Sequence, residues 1–103
     1  MLALFFMFRV YILYSSRIDK YYIGQTEDLP SRISYHNSID RNRIWSKRGI
    51  PWVKRVSFTL ISRGEAVALE KYLKQLKNRK LVEGIISAKM IFWNGRSIAA
   101  DPD

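Results

Sequence analysis

The segment Leu4–Tyr14, with the sequence LFFMFRVYILY, decides the fold that the rest of the chain must satisfy. Its even positions and its odd positions are both largely apolar. A strand with two apolar faces is typically covered by protein on both sides. We therefore expect this segment to be the central strand of a small sheet, with Met1–Phe8 forming its buried beginning.

Two further strands are predicted to pair with this one. The polar stretch Ser15–Lys20 separates it from Tyr21-Tyr22-Ile23-Gly24, which indicates an antiparallel hairpin with a six-residue loop. Trp52–Ser62 shows the alternation of a third strand. Its apolar face is expected to carry Trp52, Val56, Phe58 and Leu60, and its other face Arg55, Ser57 and Thr59.

Three helical segments fill the rest of the chain. Asp28 can cap a helix that runs from Leu29 to His36 or Asn37 and tolerates Pro30 in its first turn. A second helix is expected to begin at Glu65, where a carboxylate suits the helix dipole. Its inward stripe consists of Ala66, Leu69, Leu73 and Leu76. A third helical segment is predicted over residues 81–90.

The order of these elements is β-β-α-β-α-α, which places the chain in the α/β (α+β) class. It predicts a small three-stranded, mainly antiparallel sheet flanked by helices. At 103 residues the chain has the length of one domain. We assign that domain to residues 1–93 and expect a flexible tail over residues 94–103.

The composition narrows the classes of function. Eighteen Lys and Arg against nine Asp and Glu give a net charge of +9, which attracts polyanions and favours nucleic acid as the partner. The alternative is that this charge only maintains solubility. The chain has no cysteine, so a disulfide, a thiolate zinc site and a cysteine nucleophile are excluded, and a reducing cytoplasm is expected. The apolar start is too short to span a membrane and lacks the features of a leader, so we expect no membrane partner and a monomer by default.

A basic loop follows the first helix and offers contacts for a phosphate backbone. The loop covers Ser38–Pro51 and is expected to be irregular. The candidate nucleic-acid contacts are Arg17 and Lys20 in the hairpin loop, and Arg41, Arg43, Lys47 and Arg48 around Trp45. Trp45 either stacks on a base or packs inward. Nothing in this pattern predicts the reading of particular bases.

Five side chains are candidates for chemistry: Tyr11, Tyr22, Arg32, His36 and Glu70. Arg32 and His36 stand four residues apart on the helix face predicted to meet the sheet. The alternative is an arginine that reaches solvent and an ordinary histidine at a helix end. The two strand tyrosines are equally compatible with plain packing.

Glu70 flanks the apolar stripe of the second helix, so its carboxylate could point into a groove. The alternative is an i, i+4 ion pair with Lys74 on a solvated face. Together, the tyrosines, an arginine and a glutamate provide a base, a cation that stabilises an oxyanion, and a metal ligand. Hydrolysis of a phosphodiester requires these three parts.

The same residues carry a family resemblance. Arg9-Val10-Tyr11, ten residues, and Tyr22-Ile23-Gly24 resemble the paired tripeptides of the GIY-YIG nucleases, although Arg9 and Val10 replace the first Gly and Ile. The following residues resemble the small single-domain members related to the nuclease domain of excinuclease C: Gly24-Gln25-Thr26, Asp28-Leu29, Arg32, His36-Asn37, Gly49-Ile50-Pro51-Trp52, Glu65-Ala66, Glu70 and Leu73-Lys74. The resemblance covers about residues 8–88.

The resemblance implies a mechanism. Glu70 would bind one divalent cation, Mg²⁺ or alternatively Mn²⁺, completed by the substrate phosphate. Tyr11 would act as the base, with Tyr22 positioning the nucleophile or sharing that role. Arg32 would lower the pKa of Tyr11 by about 3 units toward neutrality and stabilise charge on the phosphate. His36 would relay a proton or orient Tyr11.

The resemblance leaves open the role of one residue and the exact function of the chain. Asn78 is the nearest counterpart of a polar residue that some members have late in the domain. The implied function is a metal-dependent DNA endonuclease, with structure-selective roles in repair or recombination among the options. The alternatives are a nucleic-acid-binding module without catalysis, and an interaction domain that self-associates through its apolar start and Ile91-Phe92-Trp93.

Overall fold

The computed structural model describes residues 7–41 and 45–102, apart from the side chain of Trp45. The main sheet has three antiparallel strands in the order β2-β1-β3, namely β1 (Phe8–Ser15), β2 (Lys20–Thr26) and β3 (Val53–Leu60). The central position of β1 confirms the prediction from its two apolar faces. Residues 1–6, the expected beginning of that strand, lie outside the described residues.

Three α-helices and a small second hairpin accompany this sheet in the described residues. The helices are α1 (Leu29–His36), α2 (Arg63–Leu76) and α3 (Arg79–Ala88), so the predicted order β-β-α-β-α-α is confirmed. The hairpin pairs β4 (Met90–Trp93) with β5 (Arg96–Ala99). No helix in the described part of the chain has the length and hydropathy needed to cross a membrane.

The second hairpin contradicts the expected loose tail for residues 96–99. Asn94 and Gly95 join its strands, with φ of 56° and 77°. Asn-Gly is a strong signal for a tight hairpin turn, so the sequence did contain a marker for these strands. Ile91 is buried in the core, whereas Phe92 is exposed, so the apolar segment around them is only partly a surface.

One side of the main sheet, the apolar face, holds the larger core. Val10 and Ile12 of β1 and Phe58 of β3 are fully buried there. The inward stripe of α2 covers them as predicted: Ala66, Leu69 and Leu73 are buried and Leu76 is half-buried. The helix α3 and the β4–β5 hairpin add Val82 and Ile91 to the same core.

The opposite side, the polar face, carries a smaller cluster beneath α1. Tyr11 and Leu13 of β1 pack there with Leu29 and Trp52. We expected Trp52 on the same face as Val56, which is wrong. The register between β1 and β3 shifts at Ile12/Leu13, where β3 has one extra residue. The β3 side chains that precede this bulge therefore lie on the opposite face from the one that strict alternation predicts.

Hydrogen bonds from α1 hold Trp52 in this place. Asn37, the C-cap residue of α1, donates from Nδ2 to the Trp52 carbonyl at 2.9 Å, and its Oδ1 accepts from the Trp52 backbone N–H. The indole Nε1 donates to the carbonyl of Ser46 at 2.7 Å. The start of β3 is thereby tied to the end of α1.

Three local predictions need correction. Ser15 pairs with Lys20, so the loop between β1 and β2 has four residues instead of six. The basic loop is not wholly irregular, because Trp45–Gly49 forms a short 3₁₀ helix. The helix α2 begins before Glu65, since the Ser62 side chain caps it by accepting from the Glu65 N–H at 3.1 Å.

Candidate active site

Tyr11 lies at the centre of the polar face and is almost fully buried. Its hydroxyl is 3.0 Å from Nε2 of His36, the last residue of α1. Gly24 stands opposite Tyr11 on β2, and a Cβ atom there would lie 2.6 Å from Cζ of the Tyr11 ring. The glycine therefore provides the space that the catalytic candidate occupies.

Three aromatic rings meet at this point of the sheet. The Tyr22 ring centroid lies 4.4 Å from that of His36 and 6.5 Å from that of Tyr11, with the two tyrosine rings 13° from parallel. The Trp52 ring packs edge-on against Tyr22, with their centroids 5.9 Å apart. Three of the five predicted chemical residues are thus brought together.

Arg32 stands at the rim of this cluster. The residue is solvent-exposed, and its guanidinium carbon lies 5.0 Å from the centroid of the Tyr35 ring. Its side chain nevertheless comes within hydrogen-bonding reach of the Tyr11 hydroxyl, so exposure to solvent and a contact with the site occur together. This contact and the charge of Arg32 lower the pKa of Tyr11, and the charge also lowers the pKa of His36.

The pKa values of the central pair are shifted in opposite directions. Burial raises the pKa of Tyr11 to about 12, against the opposing effect of Arg32. Burial, helped by the charge of Arg32, lowers the pKa of His36 to about 4. We expected Arg32 to bring the pKa of Tyr11 close to 7. This is wrong for the free protein, because desolvation of the phenolate raises the pKa more than the neighbouring cation lowers it. Both groups are neutral at pH 7.

Glu70 reaches the same site from α2. Its side chain is 21% exposed, and Oε2 lies 2.7 Å from Nζ of Lys74. Its charge raises the pKa of Tyr11, so the carboxylate lies within electrostatic reach of the tyrosine hydroxyl. The helical ion pair and the proximity to the site hold together, whereas the sequence presented them as alternatives.

The fit of this site to a metal ion rests on one carboxylate. Within residues 7–41 and 45–102, no three His, Cys, Asp or Glu side chains are grouped as metal ligands. Mg²⁺ prefers oxygen ligands, retains several waters and often binds through one carboxylate together with a phosphate. Glu70 fits such an ion when a phosphate completes the coordination.

Asn78 has a structural role in the fold. It is the N-cap of α3, and its Oδ1 accepts from the Leu81 N–H at 3.2 Å. It also lines a pocket at the edge of β2 that Tyr22 borders. None of these contacts joins Asn78 to the candidate catalytic residues other than through the shared pocket. Its capping role is sufficient to explain an asparagine at this position.

The basic residues predicted to bind nucleic acid lie on two segments that meet. Ile18 in the β1–β2 loop packs against the cluster around Trp52, and its Cδ1 would be 3.1 Å from a Cβ at Gly49. The β1–β2 loop and the basic loop after α1 expose the following basic side chains: Arg17, Lys20, Arg41, Lys47 and Arg48. Arg43 and the side chain of Trp45 lie outside the described residues, so the two alternatives for Trp45 stay open.

The comparison with protein families decides the identity. The family model of the GIY-YIG catalytic domain matches residues 7–83, most of the chain. The chain belongs to the GIY-YIG family. This confirms the resemblance drawn from its tripeptides, and the family is one of endonucleases. Neither the curated proteins nor the solved structures include a significant match.

The GIY-YIG site contains three contributors that sequence reasoning did not assign. Gly24 was noted only as part of a motif, although its lack of a side chain makes room for Tyr11. Asn37 positions the end of α1, and with it His36, through two bonds to Trp52. Lys74 has no role in the site from the sequence beyond a pair with Glu70 and a place in the motif, yet it holds the carboxylate proposed to bind the metal.

Proposed function

We propose that this GIY-YIG domain is a metal-dependent endonuclease that hydrolyses phosphodiester bonds in DNA, with structured DNA of repair or recombination as its substrate. We place it in the cytoplasm as a monomer. The observation that carries the proposal is the convergence on one hydroxyl. His36 bonds to the hydroxyl of Tyr11, while Arg32 and Glu70 act on it with opposite charges.

The Tyr11–His36 pair can move a proton without forming a free phenolate. Neutral His36 accepts the Tyr11 proton at Nε2 when its own proton is on Nδ1. As Tyr11 releases that proton, its oxygen takes one from the attacking water, which leaves an imidazolium. The water oxygen bonds to phosphorus while the bond from phosphorus to the leaving oxygen breaks. The leaving oxygen takes a proton from solvent, and the imidazolium later returns its proton to solvent. The negative phosphate of the substrate favours this imidazolium. The raised pKa of Tyr11 is then no obstacle, because a free phenolate is never populated.

The two charged residues have separate roles. The exposed guanidinium of Arg32 can bind phosphate oxygens through its planar fork and stabilise the charge that builds on them. Glu70 would hold the divalent ion, Mg²⁺ or Mn²⁺, which supplies positive charge to the phosphate when it is bound. Lys74 binds Oε2 of Glu70 in the structure, so it competes with such an ion for that oxygen.

A cleavage panel tests the proposal. Wild-type protein is incubated with duplex, nicked, branched and single-stranded DNA, and with RNA, in Mg²⁺ or Mn²⁺. We expect cleavage of at least one DNA, and a loss of about a thousandfold in rate for Glu70→Gln. Glu27→Gln is the matched control, because Glu27 pairs with Arg63 in an exposed ion pair. Wild-type inactivity on every substrate, or equal losses in both variants, would contradict the proposal.

A non-catalytic nucleic-acid-binding module is the second candidate. The ion pair at Glu70 and the lowered pKa of His36 favour it, because the first competes with a metal ion and the second disfavours the imidazolium in the free protein. It predicts binding without cleavage. With about five phosphates neutralised, the slope of log K against log salt is roughly −4 to −5. Cleavage that depends on Glu70 would rule this candidate out.

A further inference from the structure

A pocket of about 570 Å³ lies beside the candidate active site, at the outer edge of β2. It shares Tyr22 with that site, and it contains Lys74, whose Nζ lies 2.7 Å from the Glu70 carboxylate. Because β2 is the edge strand of the main sheet, its outer backbone groups have no strand partner among residues 7–41 and 45–102. The pocket is therefore a direct lateral extension of the site.

The floor of the pocket is apolar and aromatic. It is formed by Ile23, Leu73 and Val82 together with Tyr21 and Tyr22. Tyr21 is fixed in place, because its hydroxyl donates to Glu83 at 3.0 Å and the Arg79 guanidinium lies 5.2 Å from its ring centroid. Such a floor suits the flat face of a nucleobase, which stacks on aromatic and apolar surfaces.

The rim of the pocket carries three basic side chains, those of Lys74, Lys77 and Arg79. Arg79 is paired with Asp19 and Glu83, and Lys74 is paired with Glu70. Lys77 forms no ion pair with the acidic groups of residues 7–41 and 45–102, so its charge is available to a ligand. A cationic rim above an apolar floor matches a phosphate joined to a base, whereas a bare anion would leave the floor uncovered.

We propose that this pocket is a subsite for one nucleotide unit next to the cleaved bond, with the base on the β2 floor and its phosphate bound by Lys77 and Lys74. The proposal rests on the nuclease function proposed above and extends it to a second position along the strand. Lys77 and Lys74 are positioning residues in this scheme. They orient the nucleic acid so that the neighbouring phosphate meets Tyr11 and Glu70.

Binding of a mononucleotide tests the subsite separately from cleavage, because the probe has no phosphodiester bond. Methyl NMR signals of Ile23, Leu73 and Val82 are followed during titration with thymidine 5′-monophosphate, inorganic phosphate and a hexathymidylate, in EDTA. We expect the nucleotide and the hexamer to shift these methyl signals, and phosphate alone to leave them nearly unmoved. Lys77→Asn should weaken nucleotide binding about tenfold, as expected for the loss of one charge-assisted hydrogen bond.

The variants are chosen to keep the fold. Lys77 has a left-handed backbone with φ of 45°, which asparagine tolerates. Lys77→Arg should restore binding, and Lys71→Gln removes an equal charge from an exposed position of the same helix that does not line the pocket. Methyl signals that do not move, or equal weakening by Lys71→Gln and Lys77→Asn, would overturn the subsite. Equal shifts from phosphate alone would overturn the base-binding floor.

The outcomes also separate this inference from the nuclease proposal. A protein that binds the mononucleotide but cuts nothing retains the subsite and loses the proposed activity. A protein that cuts DNA with unchanged methyl signals retains the activity and loses the subsite.

Discussion

The two faces of the central strand differ in what they bury. On the apolar face, Val10, Ile12 and Phe58 are fully buried among other apolar side chains. On the polar face, the buried residues include Tyr11 and His36, and burial shifts the pKa of both. Alternate residues of one strand therefore support a purely apolar core on one side and a titratable cluster on the other.

This difference teaches how a small chain can hold polar groups away from water. A buried polar group is tolerated when it has hydrogen-bond partners and when apolar burial elsewhere stabilises the fold. The helices α2 and α3 and the β4–β5 hairpin all contribute to the apolar core, whereas α1 covers the polar cluster. Stability and chemistry should consequently respond to different substitutions.

The largest expected contrast is between Tyr11→Phe and Leu69→Ala. Removal of the Tyr11 hydroxyl should lower the cleavage rate by about 10²–10⁴-fold and the free energy of unfolding by only about 1–2 kcal/mol. Leu69 is fully buried on the apolar face, so Leu69→Ala should cost about 2–5 kcal/mol of unfolding free energy. The cleavage rate of Leu69→Ala should change little under conditions in which this variant remains folded.

Single-turnover cleavage and urea denaturation of the same preparations measure this contrast. An active Tyr11→Phe protein would remove Tyr11 from the proposed proton path. A Leu69→Ala protein that is fully folded but inactive would show that the two faces are not separate in function.

The acid stability of the polar face gives the next largest effect. The pKa of His36 is about 4 in the folded protein, below the ordinary value of 6.5, so the unfolded chain binds more protons between these limits. Stability from this group is fully present above pH 6.5 and is lost as the pH falls toward 4. The shift corresponds to about 3 kcal/mol.

Denaturation of the wild type and of His36→Gln, measured from pH 7.5 to pH 4, isolates that contribution. Carboxylates titrate in both proteins and cancel in the difference between them. We expect the wild type to lose about 3 kcal/mol more than the variant over this range. Parallel pH dependences in the two proteins would mean that burial of His36 does not disfavour its charged form.

The apolar face was the more predictable of the two. Apolar residues on both faces of β1 and the spacing of Leu69 and Leu73 along α2 depend only on local periodicity, and both predictions hold. The second hairpin was missed because its strands are four residues long, although Asn94-Gly95 marks its turn. Short strands give too few residues for an alternation to be recognised.

The polar face was predicted in its residue types but not in its geometry. The resemblance placed Tyr11, Tyr22 and His36 at one site, and the structure brings their rings together. The reversal at Trp52 and the pKa of Tyr11 follow from a register shift and from burial, which are tertiary properties. Periodicity along one segment cannot report them.

Gly24→Ala is the most selective way to disturb the polar face. The added methyl group would meet the Tyr11 ring, with Cζ at 2.6 Å, so the ring must move away from its bond to His36. We expect a loss of about 1–3 kcal/mol in unfolding free energy from overpacking, together with a fall in the cleavage rate.

Gly84→Ala is the matched control, because a Cβ at that helical position meets nothing within 4 Å. It should raise stability by about 0.5–1 kcal/mol and leave the rate unchanged, since alanine is the better helix former. If Gly24→Ala were as stable and active as Gly84→Ala, the close approach of Tyr11 to β2 would have no part in holding its hydroxyl, and the glycine of the second tripeptide would need another explanation.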